Sequence, residues 1–181
     1  MRNQRQRIPI PHTIFFFLLF PLTSLQYVKS QGLDLIKRTC RQTDDFDFCL
    51  TTLQAVNGSY SADLAGLENI TVTLGIRNAT STLYLINVLF QRTRWGTPLS
   101  DYLEKCEEMY SYALISLRFA VDQLRKRAYA QVRSAIAESI VNVVGCDDQK
   151  IYSPPLAKQN QDLMKLGELA LSILKLTGYQ G

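Results

Sequence analysis

Beyond residue 30 the chain contains no histidine; the one in the sequence is His12. Ser-His-Asp and Cys-His nucleophile arrangements are therefore excluded there, along with the commonest general base near neutral pH. No C-x-x-C, P-loop or G-x-G-x-x-G is present, so there is no phosphate-cradling loop of known pattern. Charge of one sign is scarce as well. The formal +4 arises from Arg2, Arg5, Arg7 and Lys29, which share the first thirty residues with no acid; the other basic residues balance the 16 acidic ones. That leaves no electrostatic footprint for nucleic acid. A hydrophobic fraction of 46% excludes a disordered tail or a collagen-like fibre.

Long apolar runs are also missing, with one exception. Ile14-Phe15-Phe16-Phe17-Leu18-Leu19-Phe20-Pro21-Leu22 follows the three arginines and precedes Val28-Lys29-Ser30. This order of charge, apolar run and small or branched residues is that of a secretory signal peptide, residues 1–30, cleaved after Ser30. An uncleaved anchor needs roughly 20 continuous apolar residues; this run is about half that and carries a proline. The expected product, residues 31–181, is secreted and extracellular, with no membrane attachment after cleavage.

In an oxidising route the four cysteines, Cys40, Cys49, Cys106 and Cys146, are an even set whose default state is disulfide-bonded. Zinc is the rival, but a chain without histidine and without paired-cysteine spacing is a poor ligand set. No metal and no cofactor are expected.

Helical periodicity runs through the rest, without strand alternation. From about Ser61 to Arg92, Val72, Ile76, Ala79, Leu83, Ile86 and Phe90 recur at steps of three and four. Thr97-Pro98 then offers an N-cap followed by proline at the first helical position. The next helix carries Leu99, Leu103, Cys106, Tyr110, Ala113, Leu117, Ala120 and Leu124 as an unbroken seam, closed by Arg125, Lys126 and Arg127 at its carbonyl end. A third helix spans Tyr129 to Val144 on Val132, Ile136, Ile140 and Val143, with Gly145 as its stop. Ser153-Pro154 repeats the cap-then-proline device. A last helix then carries Leu156, Leu163, Leu166, Ala170 and Ile173 and stops at Gly178. Before these, Gly32 to Val56 forms a shorter segment with a turn at Asp44-Asp45.

The predicted turn after Arg125 lies midway between Cys106 and Cys146, so the two sulfurs would meet at the far end of an antiparallel helix pair. Cys40 and Cys49 straddle Asp44-Asp45 in the same way. Of the three possible connectivities, Cys40–Cys49 with Cys106–Cys146 fits this layout best. The fold expected is all-α, an up-and-down four-helix bundle (58–181) with an N-terminal helical hairpin (31–57).

Three carboxylate pairs, Asp44-Asp45, Glu107-Glu108 and Asp147-Asp148, are the remaining candidates for glycosidase-type chemistry. Each is an adjacent pair at a helix end or on a polar face and reads as solvated charge, so no catalytic residue is assigned. Sequons stand at Asn57, Asn69 and Asn78; Asn57 lies in a loop, and Asn69, near its helix seam, is the poorest. A second apolar stripe, Leu67, Ile70, Leu74, Leu85 and Val88, reads as packing under the N-terminal segment. Its alternative is a docking or dimerisation surface.

Leu35-Ile36-Lys37-Arg38-Thr39-Cys40-Arg41-Gln42-Thr43 with Phe46-Asp47-Phe48-Cys49 resembles the opening hairpin of plant invertase and pectin methylesterase inhibitors. Leu103-Glu104-Lys105-Cys106-Glu107-Glu108-Met109-Tyr110 and the residues from Val132 to Cys146 are similar to that family's third- and fourth-cysteine helices. Ser153-Pro154-Pro155-Leu156 with Asn160 and Leu163 resembles its last helix. The resemblance implies a disulfide-braced bundle that inhibits an apoplastic carbohydrate-active enzyme without being one itself. Members acting on invertase often carry Pro-Lys-Phe where this chain has Lys126-Arg127-Ala128-Tyr129-Ala130. That departure turns the expectation toward pectin methylesterase as partner, with acid invertase as the alternative. A helix face lying across the enzyme's cleft is the expected mechanism. The candidate residues are Glu104, Glu108, Ser111, Ile115, Arg118 and Asp122 on the third-cysteine helix, with Arg77, Ser81 and Tyr84 on the helix before it. A secreted receptor ligand, contacting its receptor through aromatics such as Tyr84, is the reading from another class.

Overall fold

The computed structural model describes residues 29–147 and 153–178. The signal-peptide assignment for residues 1–28 and the second member of the Asp147-Asp148 pair lie outside them. The described chain is all helical. Residues 29–40 form α1, followed by α2 (Phe46–Gln54), a 3-10 helix (Asn57–Ser61), α3 (Leu64–Phe90), α4 (Pro98–Arg125), α5 (Tyr129–Asp147) and α6 (Ala157–Leu176). In the four-helix bundle α3 packs on α4, α4 on α5, α5 on α6 and α6 on α3.

Local chemistry sets the helix starts. Asp63 caps α3 by accepting from the Gly66 amide at 2.8 Å. Thr97 and Ser100 form a capping box on α4, each side chain accepting from the other's amide, with Pro98 at the first position. The end of α4 is a Schellman motif: the Arg127 amide bonds Leu124 O at 3.0 Å and the Ala128 amide bonds Gln123 O at 3.0 Å. Its left-handed residue is Arg127, at φ 56°, where glycine is the usual occupant.

The α4 seam is the spine of the core. Leu103, Cys106, Tyr110, Ala113, Leu117 and Ala120 are buried beside Val72, Ala79 and Ile86 of α3, Val132, Ile136 and Val143 of α5, and Leu163 and Ala170 of α6. Each large apolar side chain removed from water contributes about 1.5–3 kcal/mol before conformational entropy is counted. Gly167 lets α6 close on α5, since a Cβ there would stand 2.6 Å from Cγ1 of Ile140.

The N-terminal hairpin has its own small core. Ile36, Cys40, Cys49 and Leu53 are buried with Leu67 of α3 and Leu169 and Ile173 of α6. Disulfides join Cys40 to Cys49 and Cys106 to Cys146, with Cα atoms 5.4 and 4.7 Å apart. Asp45 caps α2 through the Phe48 amide and accepts from Lys165 of α6, both at 3.0 Å; these contacts hold its carboxyl below the ordinary range. At Gly32 a Cβ would overlap the Tyr60 carbonyl, so α1 passes the 3-10 helix at backbone distance. The second apolar stripe of α3 divides: Leu67 and Ile70 join the hairpin core under α1 and α2, and Leu85 packs on the main one.

Three local expectations give way to tertiary packing. Gly145 does not end α5, which continues to Asp147; it instead admits Met109 of α4, whose sulfur would lie 3.2 Å from a Cβ at that site. Ser153 does not cap the last helix. It adopts a left-handed φ of 55°, and α6 begins only at Ala157, with Leu156 at the N-cap and no side-chain cap bond. Asp147 is more than solvated charge: it accepts from Asn160 Nδ2 at 2.9 Å, while Asn160 Oδ1 accepts from the Tyr110 hydroxyl at 2.8 Å. Asn160 and Tyr110 are both fully buried.

Glu68 breaks the polar-outside pattern. It is 0% exposed on the inner face of α3, and neither carboxyl oxygen has a hydrogen-bond partner. Burial pushes its carboxyl well above its ordinary value of 4.5. The unfolded chain thus loses this proton earlier than the folded chain does. Stability is fully present below pH 4.5 and falls as the pH rises from there toward the raised folded value. Glu68→Gln should therefore melt higher than wild type at pH 7 and alike at pH 4; an equal gap at both would refute the assignment. Reducing Cys106–Cys146, whose ends are 40 positions apart, should cost about 4 kcal/mol in the chain-entropy model. A Cys106→Ser/Cys146→Ser variant measured by urea denaturation checks that figure.

Candidate functional site

The third-cysteine helix of the sequence reading is α4, and its outward side is a continuous stripe. Glu104, Glu108, Ser111, Ile115, Arg118 and Asp122 follow one another at steps of three and four. All are exposed except Ser111, which is half-buried. Glu104, Glu108 and Ser111 line a shallow depression with Asp101, Lys105 and Glu107. Two carboxylates already have partners: Glu108 accepts from Lys105 at 2.7 Å and Asp122 from Arg125 at 3.5 Å. These surface pairs are worth under about 1 kcal/mol and can exchange for contacts with another protein.

The sequence reading missed two large side chains on the same helix. Tyr112 and Phe119 are each 49% exposed and flank Ile115 at 62%. Together the three form an apolar row at i, i+3 and i+7, opposite the buried seam. Phe119 lines an open depression together with Ala130, Gln131, Ser134, Ala135 and Glu138 of α5. The row was readable from spacing alone, because large apolar residues at 112, 115 and 119 all fall outside the seam.

The α3 candidates divide. Arg77, Ser81 and Tyr84 are exposed, Tyr84 at 75%. Arg77, however, lines a depression bounded by Phe48, Thr52, Ala55 and Val56 of the hairpin side and by Asp162 and Leu166 of α6. No residue of α4 lines it, so Arg77 belongs to a surface distinct from the stripe.

Of the sequons, Asn57 is exposed in the 3-10 helix, and the order of the other two is reversed from expectation. Asn69 is exposed, whereas Asn78 is half-buried with its side-chain oxygen enclosed. The α3 face turns between these positions, and the seam passes through Glu68 and Val72, not Asn69.

All four cysteines are disulfide-bonded. Among the described residues no three His, Cys, Asp or Glu side chains gather to hold a metal, and no helix is long and apolar enough to cross a membrane. What the site offers is a stiff helix face with an apolar row and charged margins, the equipment of a protein that acts by binding another. The chain belongs to the plant invertase/pectin methylesterase inhibitor family, whose model matches residues 34–173. It is accordingly an inhibitor-family protein and not an enzyme. A Platanus acerifolia protein named provisionally as an invertase inhibitor is 30% identical over 91% of this chain and 95% of its own length. An Arabidopsis thaliana protein named cell wall / vacuolar inhibitor of fructosidase 2 is 34% identical, over 72% and 76%. The crystal structure of a pectin methylesterase inhibitor from Arabidopsis thaliana superposes with a TM-score of 0.61 over 80% of this chain and 97% of that one, at 18% identity, and so shares the fold.

Proposed function

We propose that this chain is a secreted, non-covalent inhibitor of a plant acid invertase, which it blocks as a one-to-one complex by laying α4 across the enzyme's cleft. The carrying observation is the exposed row Tyr112, Ile115 and Phe119 on a helix braced by Cys106–Cys146. A preformed helix loses little conformational freedom on binding, so most of the apolar burial is retained as affinity. Glu104, Glu108, Arg118 and Asp122 border the row and would set orientation and association rate more than strength. Support for invertase comes from relatives named as inhibitors of invertase or fructosidase at 30% and 34% identity. Secretion rests on the leading segment and on relatives named for cell wall or vacuole.

Pectin methylesterase is the second reading, which the sequence alone had placed first. It is favoured by the turn Lys126-Arg127-Ala128-Tyr129-Ala130, which lacks the Pro-Lys-Phe frequent in invertase-directed members. A rice protein named pectinesterase inhibitor 8 is 25% identical over 73% of this chain. We place invertase ahead because similarity over most of the chain outweighs one tripeptide.

Paired inhibition assays of the oxidised protein against plant acid invertase and pectin methylesterase, from acid to neutral pH, decide the target. Inhibition of invertase alone is the expected result; inhibition of the esterase alone reverses the order, and neither would return the receptor-ligand reading to the front. Ile115→Ala/Phe119→Ala should weaken inhibition at least tenfold, corresponding to about 1.4 kcal/mol or more. Glu108→Ala/Arg118→Ala/Asp122→Ala should mainly slow association. Unchanged inhibition by both variants would place the contact on another face.

A further inference from the structure

The three sequons differ in what surrounds them. Asn57 opens the 3-10 helix Asn57–Ser61 between α2 and α3, and both it and Gly58 are exposed. A Cβ placed at Gly58 would meet nothing within 4 Å, so the outer side of this turn is open space. Asn78 sits mid-way along α3. It is half-buried and lines the depression beside Phe48, Leu74, Asp162 and Leu166. Its side-chain oxygen is enclosed, and its backbone carbonyl accepts from the Thr82 hydroxyl at 2.9 Å. A branched sugar there would have to occupy the groove between α2 and α6.

We propose that Asn57 carries an N-linked glycan and that Asn78 carries none. The inference rests on the secretory reading given above. The donor is an oligosaccharide on a lipid pyrophosphate: the sugar C1–O bond to pyrophosphate breaks as a C1–N bond forms to Asn57 Nδ2. The lipid pyrophosphate leaves with the electron pair, and the amide gives up one proton. The sequon hydroxyl belongs to Ser59, which in the folded chain is 0% exposed with its oxygen unpartnered. Transfer therefore takes place before this turn packs, and folding then seals the acceptor triplet while leaving Asn57 outside. A glycan here stands beside the joint where α1 passes Tyr60, on a different element from the α4 stripe. It should leave inhibition intact.

The full chain is expressed in plant cells, recovered from extracellular fluid and treated with peptide N-glycosidase A in heavy-oxygen water. Peptide mapping then reads each former glycan site as a heavy aspartate that an enzyme-free control in the same water lacks, which separates it from spontaneous deamidation at Asn57-Gly58. The expected result is label at Asn57 and unmodified Asn78, with Asn57→Gln losing one glycan's worth of gel shift and Asn78→Gln losing none. Label at Asn57 supports the proposal whether or not exposed Asn69 is also labelled. Extracellular protein unlabelled at Asn57, or labelled at Asn78, overturns the proposal alone. A chain retained in the cytosol with its leading segment intact overturns the secretory reading and this inference with it. Should Asn57→Gln fail to accumulate, the wild-type map decides by itself.

Discussion

The rest of the structure depends on the joining of α4 to α5 at Cys106 and Cys146. That bond fixes the far end of a long antiparallel pair whose near end is the turn at Lys126-Arg127. Helices clamped at both ends cannot slide, so the α4 seam keeps its register against α3 and α6. Around the bond, Tyr110, Asn160 and Asp147 satisfy one another in sequence, tying α4, α6 and the end of α5. Desolvation raises the Tyr110 hydroxyl above its usual range, so it stays protonated and donating. A polar network in a core is tolerable only when each member has a partner, and this one is satisfied along its length.

The hairpin answers a different constraint. A long α3 with apolar residues on more than one side cannot satisfy itself inside a four-helix ring. Leu67 and Ile70 lie under α1 and α2, and the cost of ordering those short helices is offset by the Cys40–Cys49 link and by Lys165, which holds Asp45 from α6 and lies 5.2 Å above the Phe48 ring. Glu68 stands on α3 between Leu67 of the hairpin core and Val72 of the main one. The bundle therefore has one group for which neutral pH is a disadvantage, placed where hairpin and bundle share a helix.

Helices were legible wherever one physical signal dominated. The strict seam of α4, the Thr97-Pro98 cap and the even cysteine set lead to structure without ambiguity. Gly145 and Ser153 were misleading because glycine and a cap residue each serve two purposes. Close approach by Met109 uses Gly145 for its small size, not its flexibility, and the backbone at Ser153 turns left-handed before α6 can begin. Glu68 drew no core assignment from the sequence, although counting back four from Val72 lands on it. Tyr112 and Phe119 went unnoticed for the opposite reason: attention to the buried period hides an apolar row on the far side. The site was thus half recognised: its charges and Ile115 came from the pattern, while Tyr112 and Phe119, equally readable by spacing, stood out only once their exposure was seen.

The turn between α4 and α5 has a further consequence. Lys126 and Arg127 are exposed at the tip of the bundle, and Arg127 holds a left-handed backbone. They offer a trypsin-like protease its preferred residues at a protruding bend. Yet Cys106 lies before that bend and Cys146 after it, so both new ends remain covalently attached to one molecule. Hydrolysis there opens a loop without releasing a fragment, and α4 keeps its partners on both sides. A cut at this exposed bend is one that leaves the halves tied together.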